Sequence, residues 1–189
     1  MATAAKTARS RRTRTALVAA VHDRLAADGA FTAEEVAADA GCTPATFWAH
    51  FGTKDDAVAA AFETALDDLV ALTTELFEDA IPADVGRWAD AVTDRLIGYF
   101  AERALLYRAA IARFPEHRGL RRSYRDAEQR AEEIIAAALG PERDRNDAVA
   151  VLVFCQGLNN PGLLRSGPAS RVRRRLADAL ATLVGDEGR

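Results

Sequence analysis

Residues 41–56 read GCTPATFWAHFGTKDD, and the rest of the chain takes its meaning from them. Gly41 can take the positive φ that closes one helix and turns the chain. Thr43 is a good N-cap, and Pro44 falls at the first helical position, where its missing N–H costs nothing. This predicts a short helix from Pro44 to about Phe51. Thr53 starts another, with Asp56 three residues on in capping-box spacing.

At about 100° per residue, Phe47 and Phe51 share one face of the short helix and point into a core. Ala45 and Ala49 fall opposite, with Thr46 and Trp48 on the flanks. A helix with aromatics inward and two methyls outward can lie very close to a neighbour. That neighbour is either a second helix or the major groove of DNA, which admits one helix. Thr46, Trp48, His50 and Lys54 would then donate to phosphates on either wall. The alternative is a small helical packing unit, with His50 capping or packing and Lys54 an ordinary solvated lysine.

The residues before the turn favour the groove. Residues 31–41, FTAEEVAADAG, supply a Thr32–Glu35 capping box, an inward face of Val36, Ala37 and Ala40, and the turn. Helix, short Gly turn and second helix form the helix-turn-helix pattern. The stretch resembles the DNA-binding domain of the TetR family of transcriptional regulators. Phe31-Thr32 opens the second helix, Val36-Ala37 lies within it, and Gly41 turns the chain. Thr46-Phe47-Trp48-Ala49-His50-Phe51 and then Lys54 follow. The resemblance spans roughly residues 12–62. Trp48 stands where that family usually has Tyr, and Cys42 where it has a small aliphatic. The candidate DNA contacts are Thr43, Pro44, Ala45, Thr46, Trp48, Ala49, His50 and Lys54. Arg11, Arg12 and Arg14, at the start of the first helix, could reach phosphates or a minor groove, or stay solvated.

The chain has 189 residues, 49% of them hydrophobic, enough for one domain or a small domain on a larger one. Period-two patterning is absent, so the class expected is all-α. Net charge is −3, yet residues 1–15 carry five basic residues and no acid. An acidic body with a basic arm suits a protein that holds DNA at one end. Cys42 and Cys155 are far apart in sequence, so no disulfide is expected and a reducing cytoplasm fits. Cys42 reads as packing, with a redox switch the alternative. No signal peptide is read at the start, and the longest apolar run, 148–155, is too short for a bilayer.

Residues 1–9 read as unstructured. The first helix is expected at 10–27, with Leu17, Val21 and Leu25 on one face. A long helix over 54–79 would connect the DNA-binding part to the rest. A fifth helix over 83–101 is expected to bend near Glu102–Arg103 into a sixth that ends at Phe114-Pro115. A seventh covers 117–139, and its arginines 118, 121, 122 and 125 read as a solvated, ion-paired face. The eighth, 145–158, is apolar all round and would need burial on every side. The ninth, 168–184, carries a stripe of Val172, Leu176, Leu180 and Leu183. With Val151 and Phe154, that stripe is the expected homodimer interface, a four-helix bundle between copies, which the resemblance also implies. Arginines 171, 173, 174 and 175 read as a solvated dimer rim, with a second DNA patch the alternative.

No HExxH, CxxC, GxGxxG or serine elbow appears, and three scattered histidines make no metal site. No enzyme, cofactor or metal is therefore expected. Aromatics spread over the later helices could be plain core or line an effector cavity. The candidate lining is Phe62, Trp88, Tyr99, Tyr107, Tyr124 and Phe154, with the amides Gln156 and Asn159. The expectation is a helix-turn-helix domain over 1–52 and an effector-binding and dimerisation domain over 53–189. Together they would form a ligand-responsive regulator, most often a repressor, on a pseudo-palindromic operator. A helical scaffold protein is the alternative.

Overall fold

The computed structural model describes residues 2–166 and 170–185. Among these residues the chain is all-helical, without strands. The helices are α1 (Ala2–Asp28), α2 (Ala33–Asp39), α3 (Pro44–His50), α4 (Lys54–Leu76) and α5 (Val85–Ile111). Then come α6 (Arg118–Leu139), α7 (Arg145–Gly157), α8 (Pro161–Ser166) and α9 (Ser170–Gly185). No helix among the described residues is long and apolar enough to cross a membrane.

Local chemistry sets most boundaries. Thr32 accepts from the Glu35 amide while the Glu35 carboxylate accepts from the Thr32 amide, closing the capping box of α2. Gly41, at φ +65°, and Gly140, at φ +84°, take the left-handed conformation that ends α2 and α6. Thr43 caps α3 with Pro44 behind it.

Three features depart from expectation. α1 begins at Ala2 rather than Ser10, because residues 2–9 are rich in Ala, Lys and Arg and hold no Gly or Pro. α5 runs without a bend through Glu102 and Arg103. The Arg103 guanidinium folds back over the Tyr99 ring at 4.2 Å and donates to the Tyr99 carbonyl at 3.4 Å. The apolar stripe is interrupted there, but the helix is not, since both residues are strong helix formers. α8 is an additional turn of helix, with Asn160 accepting from the Gly162 amide at its start. The expected start of the ninth helix, Pro168, lies outside the described residues.

Packing divides the chain into two units. The first holds the described residues up to Ala65 together with Leu105–Ser123. The second holds Leu66–Ala104 and the described residues from Tyr124 on. This division does not follow the residue 52–53 boundary read from sequence, since part of α4, α5 and α6 joins the helix-turn-helix.

In the first unit α1 packs on α2, and α2 on α3. Leu17, Val21, Leu25, Phe31, Val36, Ala37, Phe47 and Phe51 form its core. Phe47 meets Phe31 edge-on at 6.2 Å and Phe51 at 5.1 Å. Each buried ring contributes roughly 1.5–3 kcal/mol by leaving water. A second cluster sets Phe62 against Tyr107 at 5.1 Å and Phe114 at 6.2 Å.

In the second unit Leu66, Phe77, Val92, Leu96, Ile97 and Phe100 are buried with Ile135 and Leu158. α7 packs on α9. α7 buries Ala148, Val151 and Cys155, and α9 buries Ala177, Leu180 and Val184. Val149 and Val153 on α7, and Val172 and Leu183 on α9, are left exposed. The apolar-all-round α7 thus buries one face within a single chain and offers the other outward. Val151 and Leu180, expected at a dimer interface, are core residues of one chain. Phe154 and Leu176 are half-buried beside them.

Candidate nucleic-acid interface

α3 is too short to persist alone, so its orientation comes from what it buries. Phe47 is 0% exposed and Phe51 1%. Ala45 and Ala49 lie opposite and are exposed, with no side chain beyond Cβ to hold a partner away. Trp48 is 46% exposed and leans edge-on against Phe47 at 4.9 Å, so its indole stands on the flank of the alanine face. The Thr43 and Thr46 hydroxyls share a 3.0 Å hydrogen bond, and Thr43 also accepts from the Thr46 amide at 3.3 Å. Both hydroxyls keep capacity for one further partner. Pro44 is exposed in the first turn and His50 is half-buried in the last.

Lys54 is held rather than free. Its ammonium donates to the Phe31 carbonyl at 2.8 Å and lies 5.3 Å from the Phe31 ring centroid. Two of its three donors remain for an anion. The bond also ties the start of α4 to the entrance of α2, fixing Lys54 relative to the helix-turn-helix. Arg14 is likewise committed. It donates to the His50 carbonyl at 3.3 Å and lies over the Phe51 ring at 5.0 Å, joining α1 to the end of α3. Arg11 and Arg12 are exposed.

Ion pairs hold the frame. Arg24 grips Asp39 with two hydrogen bonds, at 2.7 and 3.1 Å, linking α1 to α2. That hydrogen bonding holds the Asp39 carboxyl below the usual range, and the Thr32 hydroxyl does the same for Glu35. Asp56 accepts from the Thr53 amide and hydroxyl, and the hydroxyl bond is the main cause of its lowered carboxyl. Asp55 accepts from Arg113 at 2.5 Å, and His117 approaches Asp56 at 3.7 Å. Sequence reasoning missed Arg24, Arg113 and His117, because their partners lie 15 to 61 positions away.

The effector candidates are divided between the two units. Phe62 and Tyr107 are buried in the first unit, whereas Trp88, Tyr99, Tyr124, Phe154, Gln156 and Asn159 belong to the second. The Trp88 indole N–H donates to the Leu76 carbonyl at 3.1 Å, and its ring packs on Phe77 at 5.3 Å. It therefore caps the end of α4, a structural task. Gln156 donates to Glu128 at 2.7 Å, and burial, then Glu128, pushes the Tyr124 hydroxyl up to about 12. Tyr124, Glu128 and Gln156 thus form one half-buried polar cluster. Glu128 was missed because a carboxylate on an amphipathic helix reads as outer face. A shallow depression of about 450 Å³ lies elsewhere in the unit, lined by Asp68, Leu72, Asp94, Arg95, Gly98, Tyr99, Glu102 and Arg103. Tyr99 alone of the effector candidates lines it. In the 171–175 cluster, Arg173 pairs with Asp94 at 2.8 Å.

A capped helix, a left-handed glycine turn and a second helix with an outward alanine face, all on a helical body, make the architecture of a helix-turn-helix regulator. More particularly, the fold is that of the TetR-family transcriptional regulators. The chain is similar to a transcriptional regulator from Rhodococcus sp. Rha1, at 25% identity and TM-score 0.69, over 91% of this chain and 94% of that one. It is similar to a candidate TetR-family transcriptional regulator from Mesorhizobium loti, at 20% identity and TM-score 0.69, over 94% and 95%. It is also similar to a candidate transcriptional regulator from Streptomyces coelicolor, at 20% identity and TM-score 0.70, over 92% and 98%. No family model and no curated protein matches the chain.

Proposed function

We propose that the chain is a DNA-binding transcriptional regulator that acts as a homodimer, represses from a pseudo-palindromic operator, and is released by a small apolar or aromatic effector. The observation that carries the DNA part is the outward face of α3. Ala45 and Ala49 are exposed on a helix whose rings are buried, with Thr43, Thr46, Trp48 and Lys54 around them. A groove needs small residues at its floor and donors at its walls. The dimer is supported by the exposed Val149 and Val153 of α7 and Val172 and Leu183 of α9, neighbouring helices of one unit. Two recognition helices in successive major grooves would lie roughly 34–36 Å apart. Effector control is supported by the half-buried Tyr124 ring beside Glu128, which accepts from Gln156.

The test is direct. A duplex is selected from a random library by the wild-type chain, and binding is read by gel shift. Ala49→Glu adds bulk and a negative charge where the phosphates and groove floor would come, so it should abolish binding while circular dichroism and melting stay unchanged. Normal affinity in that variant would remove α3 from the groove.

A further inference from the structure

Charge is distributed unevenly over the two units. Residues 1–65 and 105–123 carry twelve basic and nine acidic residues, net +3; the remaining residues carry thirteen and nineteen, net −6. The excess in the first unit comes from residues 105–123, where Arg108, Arg113, Arg118, Arg121 and Arg122 face Glu116 alone. Two of these arginines have structural work. Arg113 holds Asp55 and the Ala109 carbonyl, and Arg121 donates to the Phe114 and Pro115 carbonyls behind the end of α5.

Arg118 and Arg122 have none. Both are exposed, and neither makes an ion pair or hydrogen bond among the described residues. The sequence reading of an ion-paired face is corrected here. Local stability opposes the arrangement. The two residues are four apart on one face of α6, where like charges repel, its first turn holds no acid, and Asp126, one turn on from Arg122, makes no ion pair with it. Basic groups at that end of a helix also face the positive end of its dipole. Folding therefore gives no reason for them.

Their place does. α6 starts beside the start of α4: His117 approaches Asp56 at 3.7 Å, Arg113 holds Asp55, and Ser123 donates to Glu63 at 2.8 Å. Lys54 immediately precedes those carboxylates. Within this one unit, Arg118 comes one residue after His117, the group that approaches the α4 first turn.

We propose that Arg118 and Arg122 form an auxiliary contact for the DNA backbone, engaging phosphates that flank the base pairs facing α3. The inference rests on the DNA-binding reading above. It makes the footprint of the protein longer than the sequence that the recognition helix reads, and it adds affinity without base preference.

The test compares two duplexes of the selected operator. One is trimmed to the shortest form that retains base-specific binding. The other is extended by random sequence on both sides. Dissociation constants are measured across a salt series for wild type and for Arg118→Ala/Arg122→Ala. Each phosphate contact contributes about 0.9 to the log–log salt slope. Wild type should show a slope steeper by roughly two per subunit on the extended duplex, and the double variant should lose that difference. Both proteins should bind the trimmed duplex alike. The variant should melt no lower than wild type, which excludes misfolding as the cause. Equal wild-type slopes on both duplexes, or a variant that keeps the difference, overturns the auxiliary contact and leaves the regulator reading intact. If wild type binds no duplex specifically, both fall.

Discussion

Asp39 shows how much of the recognition unit hangs on single carboxylates. Its two hydrogen bonds from Arg24 join α1 to α2, while Glu35 and Asp56 close the caps of α2 and α4. All three carboxyls titrate below their ordinary values, chiefly through hydrogen bonds from Arg24, Thr32 and Thr53 respectively. A carboxyl depressed in the folded state stabilises it above the unfolded value, about 3.9 for Asp and 4.3 for Glu. That stabilisation is lost as pH falls through the folded value. The urea midpoint should therefore hold level from neutral pH to about 5 and fall below about 4. Asp39→Asn should lower the midpoint at pH 7 and shrink the acid limb, because the amide has no proton to gain. An acid limb of unchanged depth would mean that the Arg24–Asp39 pair contributes nothing.

At the scale of the element, α9 separates two roles along one stripe. Leu180 points into the chain with Ala177 and Val184, while Val172 and Leu183 lie on the neighbouring flank and stay exposed. The two substitutions Leu180→Arg and Leu183→Arg should therefore behave differently. The first buries an unpaired charge in one chain and should cost several kcal/mol, giving unfolded or aggregated protein. The second should leave circular dichroism unchanged and shift light scattering from dimer to monomer. A Leu183→Arg variant that stays dimeric would move the interface away from α9. The same contrast governs α3, whose seven residues hold a face only because two rings anchor it.

For the whole molecule, the proposed effector control needs an element shared by the two packing units. α4 runs unbroken from Lys54 to Leu76 and contributes residues to both packing units. Under the proposed control, an effector would act on DNA binding only through its differential affinity for two arrangements of the proposed dimer. Moving a population from 1:99 to 99:1 takes about 5.5 kcal/mol of such preference. A true effector should raise the melting temperature of the free protein and weaken operator binding in the same titration. Tyr124→Phe and Gln156→Ala should blunt that response with operator affinity kept. A panel of apolar and aromatic compounds that stabilises the protein but never releases DNA would end the effector proposal.

What the sequence determined by itself lies close in the chain. The Thr32–Glu35 box, the Gly41 turn, the Thr43-Pro44 start and the opposite placement of Phe47–Phe51 and Ala45–Ala49 follow from spacings of one to four residues. Such patterns need only local sterics and hydrogen bonding, so they survive whatever the rest of the chain does. The all-helical class follows in the same way. Only tertiary structure decided which apolar residues are consumed inside one chain. Val151 and Val153 are equally apolar positions of α7, and Leu180 and Leu183 share one stripe of α9, yet the fold buries Val151 and Leu180 and exposes the other two. It also decided that Trp88 caps α4, that Arg14 and Lys54 brace the helix-turn-helix, and that Arg118 and Arg122 make no ion pair among the described residues. Each outcome depends on partners far away in sequence, where periodicity carries no information and the energies are settled by what the folded chain brings into contact.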